Sequence, residues 1–432
     1  MKKPILFVIV LIAMLGLVTA TAFLFTFPYE PTQPPKVVDD GATQEGVNDV
    51  VEGSNQFGFE FFSNINKEHK EDNVFFSPYS LYSAFAMVYE GARSKTAEEI
   101  SSVFHFPGLD ELRPNFARVY NDINSGSDKY ELRTGNALWV QKDYKLLEEY
   151  LSNVKRYYGG RASNLDFVNE PERSRETINS FIEEQTNNKI QDLIPPGVLD
   201  AMTRLVLTNA IYFKGNWVWE FDEKKTRDMD FHVSQDETVK VPMMNMEPDE
   251  AKFNYADLEK LKILELPYIG DKLSMLILLP KQEKGYDSET GEVVYYNYTL
   301  EDIELSAQKL EEYKAKMEKT KLDKISLPKF EFETKYFLAE NLKEMGMPSA
   351  FENADFSGID GTRNLYISEV IHQAFIKVDE KGTEAAAATA VLMMKSSMMP
   401  INFIADHPFI FLIQDNETGN ILFFGKVKNP KE

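Results

Sequence analysis

The stretch RLVLTNAIYF, residues 204–213, is a long and nearly uninterrupted apolar run in the middle of the chain. A strand with one face in water would alternate apolar and polar residues, whereas this run is apolar at both odd and even positions. Such a run is typical of a strand that is buried on both faces. We therefore predict a strand here that other layers cover on both sides.

Further strands and helices are indicated on both sides of this run. Helical spacing of apolar residues occurs at residues 57–65, 81–88, 146–158, 170–190 and 336–345. Strand patterns occur at residues 130–140, 243–246, 262–267, 272–279, 324–332, 365–378, 402–405, 409–414 and 421–427. Residues 281–298 are expected to form an acidic surface loop. Helices segregated from several mixed strands predict a large α+β domain.

The composition of the 432-residue chain excludes several classes of function. Its formal net charge of −22 argues against nucleic acid and anionic membranes as electrostatic partners. Because the chain has no cysteine, disulfides, thiolate catalysis and zinc-thiolate or iron–sulfur sites are excluded. The five histidines form no HExxH pattern. We therefore expect neither a metal site nor a cofactor.

The N-terminus carries an export signal. Two lysines precede an apolar run at residues 5–25, and the next charged residue is Glu30. At about 1.5 Å per residue this run can cross a hydrocarbon layer of roughly 30 Å, while Ala-Thr-Ala at 20–22 offers a cleavage site. Residues 1–27 are therefore either a membrane anchor or a removed signal peptide. Both alternatives place the rest of the chain outside the cell or at its surface.

A stretch that contains Pro, Asp, Gly, Gln and Thr follows at residues 28–51. Such a composition buries little apolar surface and is typical of a flexible tether. We expect the folded domain at residues 52–432.

The most ambiguous stretch is EKGTEAAAATAV at residues 380–391. On composition alone, a buried Ala-rich helix is the first interpretation. With a period of two, however, alternate residues from Thr383 to Val391 share one face, and all are small enough to enter a crowded sheet. The following LMMKSSMMP, residues 392–400, fits a helix poorly because it has no stop signal before Pro400 and no polar face.

Seven blocks of sequence resemble the serpin family, in the family's order, between residues 53 and 430. They are NVFFSPYS (73–80) with Met87 and Gly91-Ala92, TNAIYFKGNW (208–217), LPKF (327–330), LKEMGM (342–347) with Ala350-Phe351, ADFS (354–357), the strand at 368–378 and HPF (407–409). The stretch at 380–391 corresponds to the hinge of that family's reactive loop. Only the leader and the tether lie outside the resemblance.

The resemblance implies helices packed on three β-sheets with a mobile reactive loop. It also implies a suicide inhibitor of serine, or in some cases cysteine, peptidases. The target would attack the loop and form an acyl-enzyme with a loop carbonyl. The cut loop would then enter the central sheet as an added strand before water releases the acyl group. The chain is thus expected to be an inhibitor and not an enzyme, and to act as a monomer.

The resemblance assigns the hinge to a run of mostly small residues. They are Glu380, Gly382, Thr383, Glu384, Ala385, Ala386, Ala387, Ala388 and Thr389. Gly382 would supply backbone freedom where the loop swings. Thr383 would become a buried strand residue, so a charge at this position would stall insertion.

The resemblance also assigns residues that control the opening of the sheet: Ser77, Ser80, Asn209, Trp217, Lys329 and His372. Lys329 and Glu380 match positions that form an ion pair at the top of the sheet, near Trp217. The other four match a polar cluster beneath its centre. From its neighbours alone, His372 would be an ordinary hydrogen-bonded core histidine, and the serines would be helix caps. These residues are expected to control conformation and to do no chemistry.

The family's common spacing from Glu380 places the reactive bond between Ser396 and Ser397. This bond suits an elastase- or subtilisin-like peptidase. A register one residue shorter places the cut after Lys395 and implies a trypsin-like target. A cut after Met394 remains an alternative if the target prefers bulky apolar residues.

Two other classes of function fit this sequence less well. A non-inhibitory serpin, acting as a binding or chaperone-like module, usually has bulky residues or proline in its hinge, and this hinge has neither. An exported hydrolase would need a GxSxG elbow, which is absent, and no pair of carboxylates stands out for a glycosidase. Residues 107–129 carry no basic cluster, so activation by a glycosaminoglycan is not expected.

Overall fold

The computed structural model describes residues 35–124, 129–248, 250–286, 293–383 and 400–431. Its helices are α1 (Gln44–Ile65), α2 (Pro78–Gly91), α3 (Ser94–Phe104), α4 (Leu109–Ile123), α5 (Glu148–Asn153), α6 (Pro171–Gln185), α7 (Ala307–Lys314), α8 (Ala339–Met345) and α9 (Ser357–Asp360). Its strands are β1 (Val74–Phe76), β2 (Tyr130–Thr134), β3 (Ala137–Gln141), β4 (Arg161–Leu165), β5 (Leu205–Asn216), β6 (Arg227–His232), β7 (Thr238–Met246), β8 (Lys252–Asp257), β9 (Leu261–Pro267), β10 (Leu273–Pro280), β11 (Gln282–Tyr286), β12 (Val293–Asn297), β13 (Glu318–Lys321), β14 (Lys324–Pro328), β15 (Phe330–Phe337), β16 (Ile367–Val378), β17 (Gly382–Thr383), β18 (Asn402–Ile404), β19 (Phe409–Asp415) and β20 (Ile421–Val427).

Residues 205–213 of the first quoted run lie in β5, at the centre of the first sheet. The strand order of this central sheet is β15-β16-β5-β3-β4, and β2 pairs with β5 beyond the end of β3. β5 runs parallel to β16 and antiparallel to β2 and β3. The strand predicted at 130–140 is therefore two strands, because Gly135 and Asn136 interrupt it.

β5 is buried on both faces, as its apolar run predicts. Val206 and Ala210 lie in a small core cluster with Ile178 of α6. Leu207 and Ile211 lie instead in the large core cluster of the domain. Successive side chains of a strand point to opposite faces of its sheet. The central sheet therefore separates two cores, and α6 covers the smaller one.

Two further sheets and a hairpin complete the architecture, and the three sheets with their helices confirm the α+β prediction. The second sheet has the order β1-β20-β19-β10-β9-β8-β13, and the third has the order β18-β14-β7-β6. Residues 281–298, expected to form a loop, carry the antiparallel hairpin of β11 and β12. A loop was expected because the stretch contains Gly and several Glu residues. The β-branched and aromatic residues of VVYYN, at 293–297, instead favour a strand.

The strand predicted at residues 324–332 is two strands that belong to different sheets. β14 ends at Pro328 in the third sheet, and β15 begins at Phe330 in the central sheet. Proline has no backbone N–H, so it interrupts the ladder. Lys329 consequently lies between the two sheets, where its N–H donates to the Pro242 carbonyl at 2.9 Å.

The tether predicted at residues 28–51 is wrong in its C-terminal part. α1 begins at Gln44 and buries Val47 and Val50. Further upstream, Val37 is also buried. The prediction rested on proline and polar content, but the valines of α1 recur at helical spacing and pack against the core.

The predicted leader, residues 1–27, lies outside the described ranges, as do residues 28–34. Within the described ranges, no helix has the length and apolar character needed to cross a membrane. From Pro35 onward the chain forms one unit.

Candidate functional site

Five polar side chains meet at the centre of the sheet, where β5 and β16 lie side by side. Ser77 caps α2, because its hydroxyl accepts from the Ser80 N–H at 3.0 Å. Asn209 donates to the Ser80 carbonyl at 2.7 Å, and it is hydrogen bonded to His372, its register partner in β16. Asn136, at the break between β2 and β3, accepts from the Ser80 hydroxyl at 3.1 Å and from Asn209 at 2.5 Å. The structure thus brings the four predicted cluster residues together.

His372 is held in its neutral form by these contacts. The Ser77 backbone N–H donates to His372 Nε2 at 3.1 Å, so Nδ1 carries the proton and donates to the Asn209 side-chain oxygen. Burial lowers the pKa of His372 to about 3, and the hydrogen bond with Asn209 offsets only part of this effect. Protonation of Nε2 would set its N–H against that of Ser77.

The chain reverses between β16 and β17 in a tight turn. Asp379 and Gly382 close the turn with two backbone hydrogen bonds of 2.9 and 3.2 Å. β17 then pairs antiparallel with β5, with Gly382 opposite Asn216 and Thr383 opposite Gly215. Two residues of the predicted hinge therefore extend the central sheet beside β5.

Position 382 requires glycine. Gly382 has a φ of +147°, and a Cβ on it would lie 2.2 Å from the Gly215 carbonyl oxygen and 2.6 Å from Asn216 Cα. Both atoms belong to the backbone of β5, which is packed on both faces and cannot yield without disturbing the sheet. The close approach of two backbones is thus a second reason for glycine at this position, besides the rotational freedom that the sequence suggested.

Two aromatic side chains hold Thr383 and the turn before it. Thr383 is 2% exposed, and its hydroxyl lies 3.0 Å from the Tyr268 hydroxyl. Tyr268 stacks on Trp217, with ring centroids 4.6 Å apart. The Trp217 indole N–H donates to the Asp379 carbonyl at 3.1 Å, and its backbone N–H donates to the Lys381 carbonyl at 2.8 Å. Trp217 therefore lies beside the residues that the resemblance assigns to the start of the hinge.

Glu380 forms an ion pair at the same end of the sheet. Its carboxylate accepts from Lys329 Nζ and from the Thr226 hydroxyl, each at 2.7 Å. Burial raises the pKa of this carboxyl, but the hydrogen bonds from Lys329 and Thr226 outweigh burial and leave the pKa lowered. Because Lys329 lies at the break between β14 and β15, the pair joins the third sheet to the turn of the central sheet.

Three residues of this arrangement were missed by sequence reasoning: Asn136, Thr226 and Tyr268. Asn136 had a signal, because it follows Gly135 within a strand pattern, and glycine there marks an irregularity. Thr226 and Tyr268 had none. Their contacts with Glu380 and Thr383 join residues that are far apart in the sequence, so only the folded chain reveals them.

The remaining predicted residues lie outside the described ranges. They are Glu384, Ala385, Ala386, Ala387, Ala388 and Thr389 of the hinge, and Lys395, Ser396 and Ser397 at the reactive bond. The described chain stops at Thr383 and resumes at Pro400, shortly before β18.

The polar cluster has the residue types of a hydrolase without the arrangement of one. The Ser77 hydroxyl donates to the Leu422 carbonyl at 2.6 Å and not to the His372 ring. Ser77, Ser80 and His372 are completely buried, so a substrate cannot reach them. Across the described residues, no group of three His, Asp or Glu side chains is arranged to hold a metal ion. The arrangement joins β5, β16 and the start of α2 by hydrogen bonds.

Comparisons with known proteins agree with this geometry. A family model described as Serpin (serine protease inhibitor) matches residues 52–430. An uncharacterized serpin-like protein of Methanosarcina mazei is 44% identical over 391 residues, which cover 89% of this chain and 88% of that protein. The leukocyte elastase inhibitor of Xenopus laevis is 41% identical over 379 residues, or 87% of this chain and 97% of that protein. The crystal structure of Serpin48 from the insect Tenebrio molitor matches with a TM-score of 0.75 and 33% identity, covering 89% of this chain and 98% of that one.

Proposed function

The chain belongs to the serpin family, and from this premise we propose that it is an irreversible suicide-substrate inhibitor of serine peptidases. The observation that carries the proposal is the pairing of Gly382 and Thr383 with β5. Because β17 is antiparallel to β5, a continuation of β17 would run along β5 into the seam between β5 and β16. A strand that is to enter the sheet after cleavage would thus have its first two residues in place.

The seam itself is suited to accept a strand. β5 and β16 pair in parallel from Leu205 and Ile367 to Tyr212 and Phe375. A strand inserted antiparallel to both would replace one parallel ladder by two antiparallel ladders. New backbone hydrogen bonds contribute roughly 0.5–1.5 kcal/mol each, so about ten of them contribute on the order of ten kcal/mol. This is comparable to the stability of a whole domain, so the uninserted form would be metastable.

The register of β17 defines where loop residues would lie after insertion. Thr383 pairs with Gly215, so in the same register Thr389 would lie opposite Asn209. Asn209 holds His372 across the seam. Insertion to this depth would break that contact and place the Thr389 hydroxyl between the two side chains. The sheet-opening residues would then act at the moment when the strand passes the centre.

The inserted side chains that would enter the large core are small. Continuation of the strand would place them on the face that also carries Leu207 and Ile211. They are Thr383, Ala385, Ala387 and Thr389. A packed core tolerates little added volume, so small side chains permit insertion and bulky ones would oppose it.

The bond chemistry would belong to the target. Its serine Oγ would attack a loop carbonyl, the C–N bond would break, and the new amino terminus would leave with a proton from the target's general acid. The other product is an ester between the serine and the loop. Some fourteen inserted residues at roughly 3.3 Å each would carry this ester about 45 Å, which distorts the captive active site before water can attack.

We place the reactive bond between Ser396 and Ser397, which favours an elastase- or subtilisin-like target. The relative that is named leukocyte elastase inhibitor supports this class. A cut after Lys395 would point to a trypsin-like target instead. The apolar run near the N-terminus supports a location outside the cell or at its surface.

Incubation with elastase, subtilisin, chymotrypsin and trypsin, followed by denaturing gels and mass spectrometry, tests this function. We expect an SDS-stable adduct with elastase or subtilisin and a released fragment that begins at Ser397. A fragment that begins at Ser396 would move the bond to Lys395. Cleavage without an adduct by all four peptidases would overturn the proposal and favour a non-inhibitory serpin that acts as a binding module.

A further inference from the structure

A cavity of about 610 Å³ lies at the base of the hairpin of β11 and β12, which the proposed inhibitory function does not use. Gln282 and Asn297, the first and last residues of that hairpin, are on its rim. One wall is apolar and is formed by Phe59, Phe62, Leu300, Ile303, Pro408 and Ile410. Its volume is in the range of pockets that enclose small organic molecules.

A buried cation forms part of the same cavity. Lys426 is 2% exposed, and its ammonium donates to the Asn66 side-chain oxygen at 2.6 Å and to the carbonyls of His69 and Lys70 at 2.8 and 2.9 Å. In the part of the chain that the structure describes, no carboxylate lies within ion-pair distance of this ammonium. Burial, and secondarily the charge of Lys428, lower the pKa of Lys426 to about 8. Neutral acceptors stabilise the charge without neutralising it, which favours an anion nearby.

Two further lysines lie at the cavity. Lys70 is 61% exposed and lies 3.8 Å from Glu301, and Lys428 lies 3.0 Å from Glu71. Among the described lining residues, these two lysines and Lys426 stand against one carboxylate, that of Glu301. The chain as a whole carries a net charge of −22, whereas three lysines meet at this cavity, with Glu71, Asp72 and Glu301 as the carboxylates that act on Lys426. An anionic group would meet less repulsion here than over most of the remaining surface.

We infer that this cavity binds a small amphiphile with an apolar chain and a carboxylate. The apolar chain lies against Phe59 and Phe62, and the carboxylate lies at Lys70 and Lys428, near the buried charge of Lys426. The apolar wall supplies affinity by removing hydrocarbon from water, and the lysines select an anion over a neutral head group. This inference is independent of the inhibitory function, because none of the described residues of the hinge or of the polar cluster lines the cavity.

Calorimetric titration of the full chain with octanoate, and with 1-octanol as the neutral analogue, tests the inference. We expect one octanoate per chain and at least tenfold weaker binding of 1-octanol. The double variant Lys70→Gln/Lys428→Gln should weaken octanoate binding at least tenfold and leave 1-octanol unchanged. Equal affinity for the two compounds would overturn the anionic class.

A filled cavity supplies the matched control. Ser63 and Gln56 are both exposed on α1, but only Ser63 lines the cavity. Ser63→Trp should abolish octanoate binding, whereas Gln56→Trp should retain it. Equal binding by these two variants, or no binding by the natural chain, would overturn the site. If Ser63→Trp fails to fold, the double lysine variant tests the site instead. It should fold, because the exposed Lys70 and the partly exposed Lys428 are not core residues.

Discussion

His372 and Asn209 lie opposite each other in the parallel register of β16 and β5, and their side chains share a hydrogen bond across the seam. Asn209 also donates to the Ser80 carbonyl at the start of α2. The centre of the seam is therefore closed by side chains as well as by the backbone ladder. A strand that enters the sheet must separate this pair.

Acidification should destabilise the native protein through His372. Its pKa is about 3 in the folded state, against 6.5 for an ordinary histidine. Because the unfolded state binds the proton first, the stability from His372 is fully present above pH 6.5 and is lost as the pH falls toward 3. From pH 7.5 to pH 4.5 we expect the free energy of unfolding to decrease by roughly 2–3 kcal/mol from this group.

Denaturant unfolding of the natural chain and of His372→Gln at both pH values measures this contribution. Carboxylates titrate in both proteins, so the informative quantity is the difference between their two losses. The natural chain should lose more stability than the variant. An equal loss would show that His372 is not the source.

Thr383→Arg should convert the inhibitor into a substrate. The two-residue β17 can separate from β5 before cleavage and leave the new guanidinium in water, whereas insertion would bury it unpaired beside Tyr268, where Thr383 is 2% exposed, at a cost of several kcal/mol. Each 1.4 kcal/mol changes a partition ratio about tenfold, so cleaved product should exceed trapped peptidase at least about tenfold. Denaturing gels with elastase or subtilisin measure the ratio. Thr383→Val, which keeps the shape without a charge, should still form the adduct; an undiminished adduct with the Arg variant would refute insertion.

Cleavage of the loop should raise the melting temperature of the chain. An added strand that contributes on the order of ten kcal/mol raises the midpoint of a domain of this size by roughly 10–15 °C. Calorimetry before and after limited proteolysis measures the shift. Cleaved Thr383→Arg should show a much smaller rise. No rise in the natural chain would indicate that its cut loop stays outside the sheet.

A reversible disulfide between β5 and β16 should allow cleavage of the loop but prevent trapping of the peptidase. Ala210 and Gln373 are register partners across β5 and β16, and neighbouring strands lie about 4.8 Å apart, within the range for a disulfide. Because the chain has no cysteine, Ala210→Cys/Gln373→Cys introduces one pair only. The oxidised variant should be cleaved without an adduct, and reduction should restore the adduct.

Each single-cysteine variant serves as the control for this disulfide. Both should form the adduct with and without reductant, because neither can cross-link the seam within one chain. An adduct from the oxidised double variant, with the disulfide verified by mass spectrometry, would contradict insertion between β5 and β16.

Lys329→Gln should weaken the top of the central sheet. The variant leaves the Glu380 carboxylate, on a residue that is 5% exposed, with Thr226 as its side-chain partner. Loss of one partner from a buried pair costs about 3–5 kcal/mol, but the Lys329 side chain is 37% exposed, so we expect about 1–2 kcal/mol in urea unfolding. Lys329→Arg should stay near the natural value, and Lys329→Gln/Glu380→Gln should regain most of the loss. Without such recovery, the ion pair would not be the cause.

Continuous apolar runs were the best guide to the fold. The strand predicted at residues 421–427 is β20 (Ile421–Val427), and residues 205–213 of the run at 204–213 lie in the doubly buried β5. Sequence reasoning failed where one continuous apolar pattern covers two separate strands. Residues 324–332 look like one strand, yet Pro328 divides them between two sheets.

For the candidate site, the family resemblance supplied residues that the fold brings together, such as His372 with Asn209 and Glu380 with Lys329. It did not supply Tyr268 or Asn136. A local pattern reports which side chains prefer burial or a turn, but it does not report which distant residue will occupy the space beside them.

The α+β class, the doubly buried strand and the small side chains at residues 382–391 could be predicted from local patterns, because they depend on side-chain size and periodicity along one segment. The pairing of Gly382 and Thr383 with β5, the contact of Tyr268 with Thr383 and the parallel ladder of the seam could be recognised only in the folded chain. These relationships join segments more than a hundred residues apart. Their geometry is set by how the layers pack, which no local stretch of sequence encodes.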